Sequence, residues 1–183
     1  MNRRRLIAAA ALAPLCAGCA HPSVPARVEI PEPGLRLPPS LLGREFAMQQ
    51  RLRVSAAGRE LVLQALLEAD AAGLRLALFA FEHRVARLEW DGASLTLQTG
   101  PDWPPAVSAE RMLSDLTLTL WPADAVSAAL SGDWSLAADA SRRELRWRDR
   151  TAVRVRYHGS DRWVIENPVR DYRIEVDSFA IPE

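Results

Sequence analysis

Few residues of this 183-residue chain have the types and the spacing that a catalytic or metal-binding site needs. The three histidines, His21, His83 and His158, stand far apart, and the sequence contains neither an HExxH metal motif nor a Gly-x-Ser-x-Gly nucleophile motif. Two of them lie beside predicted turns, where exposed histidines are common. The carboxylates alternate with apolar residues, as on solvated strand faces, although spacing alone does not exclude a glycosidase-type pair. The sequence therefore predicts a protein that is not an enzyme and has no cofactor or metal site.

The two cysteines, Cys16 and Cys19, lie near the N-terminus in a pattern that favours lipid attachment. Three arginines precede an apolar run over residues 6–15. This run is about half of the ~20 apolar residues that a membrane-spanning helix needs, which favours a cleaved secretion signal over residues 1–18. The run ends in a segment that resembles the bacterial lipobox, in which an aliphatic residue and two small residues precede the acylated cysteine: Leu15-Cys16-Ala17-Gly18-Cys19.

Cys19 is accordingly the predicted lipid anchor and the first residue of the mature protein. The segment departs from the lipobox at Cys16, where leucine is usual, and Cys16 stays an alternative acylation site. A disulfide between the two is the structural alternative, but loss of Cys16 with the signal would leave Cys19 without a partner. In bacterial lipoproteins an aspartate after the anchoring cysteine usually marks retention at the inner membrane. Ala20 stands there instead, which implies a lipid-anchored outer-membrane protein that faces the periplasm.

The charge balance argues against nucleic acid as a partner. The chain has 23 basic and 23 acidic residues, every basic residue is an arginine, and loss of the signal would remove three of these. No excess of positive charge would then hold a nucleic acid. One arginine cluster is interpreted as the solvated face of two strands, with contact to anionic lipid headgroups or to an acidic partner as the alternative. Its members are Arg142, Arg143, Arg146, Arg148, Arg150, Arg154 and Arg156.

Prolines dominate the segment that follows the anchor. Six prolines between residues 20 and 42 interrupt both helix and central strand. Residues 19–42 are therefore predicted to be a lipidated, proline-rich tether, and residues 43–183 to be the folded domain.

From residue 45 the hydrophobic pattern changes to a period of two, which is typical of β-strands separated by turns. The strands predicted from this pattern lie at 46–54, 61–67, 74–81, 84–90 and 95–97, and after residue 133 at 134–136, 144–148, 152–157, 163–166 and 172–179.

Between the two sets of strands the apolar spacing is helical. Ser108 can cap a helix that ends before Pro122, and a second short helix is predicted from Ala123 to Leu130, so the helical insertion covers about 108–131. Strands, helices and strands again predict a mainly β (β+α) fold. The predicted architecture is a curved antiparallel sheet, an unclosed half-barrel of about ten strands with a helical lid.

The order of these elements resembles the LolB-like outer-membrane lipoprotein family, and more closely the uncharacterised lipoproteins encoded beside aryl-polyene pigment genes. The resemblance covers residues 42–181. It rests on the lipobox, the strand meander, the leucine-rich strand at 74–81, the helix at 108–120 and the Leu120-Trp121-Pro122-Ala123 segment that opens the second helix.

This resemblance implies a LolA/LolB-like half-barrel that binds the acyl chains of a lipid or lipoprotein cargo, received from a soluble LolA-like periplasmic carrier. A sheet covered only by helices can leave a dry cavity for such chains, although the same apolar pattern also fits an ordinary packed core. The candidate cavity residues are Met48, Leu63, Leu76, Leu78, Leu88, Trp90, Leu97, Met112, Leu116, Leu120, Trp147 and Tyr157.

The resemblance also implies a membrane-contact loop after the third strand, which falls at residues 79–83. Phe79 and Phe81 are the candidate contact residues; the alternative is that both are buried at the end of the core. The loop lacks the Pro-Leu-Gly that LolB shows there, so a polyene lipid or another glycerolipid could replace a lipoprotein as cargo.

The expected function is that of an outer-membrane-anchored periplasmic lipoprotein that binds the acyl chains of a lipid or lipoprotein and helps deliver this cargo to the outer membrane. Its expected partners are the acyl cargo, a LolA-like carrier, and the membrane through the Cys19 anchor. One alternative is a non-enzymatic scaffold or assembly lipoprotein with a solid core and a protein partner. Another is a periplasmic hydrolase.

Overall fold

The structure is a computed structural model that describes residues 30–101, 103–105 and 107–181. The predicted signal peptide, the predicted anchor Cys19 and the first part of the predicted tether lie outside the described residues. The described part of the chain folds into ten β-strands, two α-helices and one short 3-10 helix over Pro39–Leu42.

The first half of the domain is a meander of five strands, as the period-two pattern predicts. Its turns contain acceptors for their own backbone, which explains where the strands stop. In the second turn, Asp70 Oδ1 accepts hydrogen bonds from the backbone nitrogens of Ala72 and Gly73, at 2.7 and 2.8 Å. The strands are β1 (Phe46–Ala56), β2 (Arg59–Ala69), β3 (Leu74–Ala80), β4 (His83–Trp90) and β5 (Leu95–Thr99).

Two helices follow the fifth strand. Helix α1 spans Ala109–Leu120, and the Ser108 hydroxyl accepts a hydrogen bond from the Arg111 backbone nitrogen at 3.3 Å, so the predicted cap is confirmed. Helix α2 spans Ala123–Ala129 directly after Pro122. Proline suits this position because the first helical residues have no intrahelical acceptor for their N–H groups.

The second half of the domain is again a meander of five strands. These run within a few residues of the predicted ranges. They are β6 (Trp134–Ala138), β7 (Arg142–Trp147), β8 (Arg150–Tyr157), β9 (Arg162–Asn167) and β10 (Tyr172–Ala180).

All ten strands form one antiparallel sheet in the order β5-β4-β3-β2-β1-β10-β9-β8-β7-β6. The two meanders join where β1 pairs with β10, with Leu52 opposite Val176. Strands β5 and β6 keep a free edge each, so the sheet is not closed. The predicted mainly β fold, an unclosed antiparallel sheet with a helical insertion, is confirmed.

One face of this sheet, which we call the inner face, holds the core. Leu52, Leu63 and Val176 share this face because they are direct partners across neighbouring strands. Leu63 and Val176 belong to a cluster of buried residues, against which Leu52 packs and which also includes Leu118 and Trp121, at the C-terminal end of α1. The helices therefore cover the inner face, and the opposite, outer face carries most of the charged side chains.

Residues 30–42, which we call the strap, differ from the prediction of a tether. Ile30, Leu35, Leu37 and Leu42 are buried in the same core as the strands, with Leu35 only 1% exposed. Proline blocks helices and strand ladders, but it does not prevent aliphatic side chains beside it from packing. The described part of the predicted tether therefore belongs to the folded domain.

The antiparallel order brings alternate turns to the same end of the sheet. We call one end the turn end; it carries the turns at 57–58, 81–82, 148–149 and 168–171. In the described part of the chain, no helix is both long and apolar enough to cross a membrane.

Candidate functional site

The turn end concentrates unusual backbone conformations. All non-glycine residues with a left-handed φ in the described part of the chain lie in its four turns: Ala57 (φ 50°), Phe81 (φ 55°), Arg148 (φ 51°) and Asp171 (φ 53°). This conformation costs bulky side chains the most, so Phe81 is the most unusual of the four. Strained residues of this kind cluster at functional sites in proteins.

Phe81 is also the most exposed large apolar residue of the described chain, at 93%. It occupies the first position of the two-residue turn between β3 and β4, where glycine or asparagine is usual. Leu61 and Val62 lie on the part of β2 that runs past the end of β3, at the same end of the sheet, and each is about half exposed. The three residues expose apolar side chains at an end of the sheet that also carries charged ones.

The structure separates the two predicted contact residues. The register of β3 and β4 shifts between Leu78 and Phe79, and Phe79 lies half-buried opposite Gln64. Phe81 leaves the sheet at the turn instead. The membrane-contact role stays a prediction; of the two residues, Phe81 is the exposed one.

The twelve candidate cavity residues divide by burial. Those that are fully buried are Leu63, Leu76, Leu78, Leu88, Trp90 and Leu120. Those that are partly buried and packed against the same core are Leu97, Met112, Leu116, Trp147 and Tyr157. Met48 is partly buried on β1, and its sulfur accepts a hydrogen bond from the Ser178 hydroxyl at 3.1 Å. These side chains thus contribute to or border one apolar interior.

Helix α1 packs with a slightly different face than its apolar spacing suggests. Leu113, Thr117 and Leu118 are its most buried residues, whereas Met112 and Leu116 lie at the border of the buried face. Trp121, which follows the helix directly, lies fully in the core.

Two concavities of the described structure bear on the cavity prediction. A cleft of about 460 Å³ at the turn end is lined by polar residues that include Arg59, Arg154, Glu166 and Arg173. A second space of about 20 Å³, enough for roughly one water molecule, lies under the strap beside Asp115. None of the twelve candidate residues lines either space, so the predicted acyl cavity stays a prediction.

A polar cluster lies where the strap crosses α1. The Tyr172 hydroxyl donates to Asp115 Oδ2 at 2.6 Å and accepts from Asn167 Nδ2 at 3.2 Å. Burial raises the pKa of Asp115 to about 7, against the lowering effects of Tyr172 and Arg111. Burial and the neighbouring Asp115 raise the pKa of Tyr172 as well. Sequence reasoning missed this cluster because its members come from two distant segments of the chain.

The strap is fastened to this region by ion pairs. Glu32 pairs with Arg111 at 3.0 Å and with Arg170, and Arg36 pairs with Glu110 at 3.2 Å. Glu32 and Arg170 also line the small space beside Asp115. The strap thus contributes charge as well as apolar side chains to the inner side of the domain.

One member of the arginine cluster has a role that sequence reasoning missed. Arg143 lies on the inner side of β7, and its Nη1 donates to the carbonyl oxygens of Leu118 and Trp121 at 2.7 and 2.6 Å. The Tyr157 hydroxyl donates to the carbonyl of Thr119 at 2.8 Å. These bonds satisfy carbonyls that the end of a helix leaves open, and they fasten α1 to the sheet.

Other arginines of the cluster form ion pairs across the outer face, as its interpretation as a solvated strand face expects. Glu166 is the centre of this network, with Arg154 at 3.5 Å, Arg156 at 3.0 Å, and Arg173 on β10. These residues are partly exposed, and ion pairs at the protein surface contribute little to stability, typically ~0–1 kcal/mol each.

The structure places the histidines as the sequence suggests. His83 and His158 are exposed beside turns, and His21 lies outside the described residues. Within the residues that the structure describes, no group of three His, Cys, Asp or Glu side chains could hold a metal ion.

Fold and site together define a class of protein: an unclosed, ten-stranded antiparallel sheet with a helical insertion on one face and an aromatic turn at one end. The model of the family described as "Protein of unknown function (DUF3261)" matches residues 47–180, which include nearly all of the sheet and both helices. The chain therefore belongs to this family. No curated protein matches the chain significantly.

Proposed function

We propose that this protein is an acyl-chain acceptor, anchored through Cys19 on the periplasmic side of the outer membrane, that delivers a lipid or lipoprotein through its turn end. The observation that carries the proposal is Phe81, an aromatic side chain that is 93% exposed and held in an unfavourable backbone conformation. Aromatic rings are costly to expose to water but stable at the interface between headgroups and acyl chains.

The surroundings of Phe81 support contact with a membrane. Leu61 and Val62 add apolar area at the same end. Exposed arginines there, Arg59 and Arg84 among them, suit anionic headgroups, although acidic residues such as Glu82 are interspersed. Insertion of the aromatic ring therefore contributes more to the proposed contact than net charge does.

The apolar inner face supports the acyl-binding part of the proposal. Its strands and helices supply leucine and tryptophan side chains such as Leu76, Leu88 and Trp90. An acyl chain that reaches these side chains would be withdrawn from water, which is favourable by about 25 cal/mol per Å² of apolar surface.

The test is delivery of a fluorescent acyl lipid from the loaded protein to acceptor liposomes. Phe81→Glu should slow delivery by about tenfold or more, because a charged side chain cannot enter the interface as the ring does. Phe179→Glu is the matched control, since Phe179 is 60% exposed near the opposite end of the sheet. Equal delivery by Phe81→Glu and wild type, with both folded, would contradict the proposal.

A second function, an envelope scaffold with a solid core, is favoured by the way in which the interior is filled. The strap fills part of the inner side, and the two concavities described above are not lined by the candidate cavity residues. Binding of acyl lipid distinguishes the two functions, because a scaffold with a solid core binds none.

A further inference from the structure

We propose that the strap occupies the acyl-chain site and that a chain enters only when the strap withdraws; this inference rests on the proposed function. The strap places Ile30, Leu35, Leu37 and Leu42 in the same buried cluster as the candidate cavity residues. An acyl chain and these aliphatic side chains would therefore compete for the same apolar surroundings.

The strap is held by fewer backbone hydrogen bonds than helix α1, which also covers the inner face. Helix α1 has its own hydrogen-bond ladder, a Ser108 cap and two bonds from Arg143. The strap pairs with no strand, and four of its residues are prolines, which have no N–H to donate. Withdrawal of the strap leaves the sheet ladder intact, whereas withdrawal of α1 breaks its bonds to β7. Opening of the strap is thus the less costly movement.

Two tryptophans hold the strap by its carbonyl groups. Trp90 Nε1 donates to the Leu37 carbonyl at 2.8 Å, and Trp121 Nε1 donates to the Pro38 carbonyl at 3.1 Å. Both indoles are buried, so withdrawal of the strap would leave two donors without acceptors in an apolar space. The ester carbonyls of a diacylglyceryl group are acceptors that match these donors and are joined to aliphatic chains.

Two N–H donors beside aliphatic side chains indicate a glycerol acyl ester as the class of ligand. Membrane glycerolipids and the lipid group of an acylated protein both contain it. The strap carbonyls and the aliphatic side chains beside them stand where the ester carbonyls and the start of the chains would lie.

A disulfide can lock the strap in place. A Cβ added at Gly92, in the turn between β4 and β5, would lie 3.4 Å from Pro38 Cβ, close to the ~3.5–4.5 Å of disulfides. Pro38→Cys and Gly92→Cys are introduced into the full chain, with Cys16→Ser and Cys19→Ser so that no other thiol is present. The probe is a lysophospholipid with a pyrene-labelled acyl ester. Gly92 has a φ of 94°, so the strain of Cys there is controlled by comparing the oxidised and reduced forms of the same protein.

The oxidised protein should bind the probe at least tenfold more weakly than the reduced protein, and each single-cysteine variant should bind equally with and without reductant. Glu32→Gln, which weakens the ion pairs of the strap, should bind several-fold more tightly than wild type and provides a test if the double variant does not fold. Competition by a diacylated lipopeptide against an unlabelled phospholipid then identifies which source of the ester is preferred.

Equal binding by the oxidised and reduced forms, or no gain in Glu32→Gln, would overturn the strap inference and leave the proposed function standing. A wild-type protein that binds no acyl probe would overturn the proposed function and the inference with it.

Discussion

Phe81 combines an unfavourable backbone conformation with an almost fully exposed aromatic ring. Its left-handed φ of 55° disfavours an aromatic side chain, and its exposure means that packing gains little in return. Asparagine and glycine adopt this conformation more readily. The proposed contact with a membrane would account for a phenylalanine at this position.

Phe81→Asn should raise the free energy of unfolding by about 1 kcal/mol, because it relieves the backbone strain and exposes less apolar surface. The same variant should slow delivery of acyl lipid to liposomes. Urea denaturation measures the first effect. Phe179→Asn, on an extended strand, should show no such gain, and a loss of several kcal/mol in Phe81→Asn would instead mark Phe81 as part of the core.

Asp115 is a carboxyl group whose protonation links stability to pH near neutrality. Its pKa of about 7 in the folded domain lies above its ordinary value of 3.8 because burial penalises the charged form. Between these two values the unfolded chain loses its proton while the folded domain keeps it. The free energy of unfolding therefore falls as pH rises from about 4 to 7, by on the order of 4 kcal/mol, and then levels off.

Asp115→Asn should remove most of this slope, since an amide does not titrate and its oxygen can still accept the hydrogen bond from Tyr172. Urea denaturation at several pH values between 4.5 and 7.5 measures it. Carboxyls with lowered pKa values, such as Asp70 and Glu144, titrate below this window and act in the opposite direction. An unchanged slope in Asp115→Asn would contradict the account of this group.

Local sequence could not reveal the residues that act across the fold. Asp115 and Tyr172 are 57 positions apart, and nothing near either of them in the chain marks the pair. Arg143 was one of the seven arginines of the cluster, and only the pairing of β7 places it on the inner side. Phe81 was predicted together with Phe79, through the resemblance to LolB-like proteins, and only the structure shows which of the two is exposed.

At the scale of elements, the hydrogen bonds from Arg143 on β7 to the end of α1 are expected to stabilise the packing of this helix on the sheet. Arg143→Met keeps the aliphatic part of the side chain but removes two hydrogen bonds to the end of the helix. The free energy of unfolding should fall by about 1–3 kcal/mol, because two carbonyls lose a charged donor. Arg142→Met, which removes an exposed pair with Asp139, should change it by less than about 1 kcal/mol. Equal effects of the two variants would contradict this role for Arg143.

The strands and helices could be predicted because each follows a local pattern. Alternation identified the ten strands, and Ser108 and Pro122 marked the limits of α1. The strap could not be placed because its prolines dominate the local signal. The pair Leu35 and Leu37, which alternate with the exposed Arg36, is the feature that could have shown that this segment packs.

At the scale of the whole molecule, the sheet is completed by the pairing of β1 with β10, more than a hundred residues apart. No local pattern encodes this contact; the prediction of one sheet came from the order of the elements and from resemblance. Whether the interior opens is likewise a property of the whole molecule, because the strap, the helices and both meanders enclose it together.

The central claim is that this interior takes up an acyl chain. Native mass spectrometry of the full-length protein, isolated gently from cells, tests it most directly. The account predicts a non-covalent adduct with the mass of an acyl lipid that disappears on denaturation and is reduced in Leu116→Asp, where a carboxylate borders the buried face of α1. A wild-type protein that carries no such adduct and acquires none when incubated with glycerolipid would contradict it.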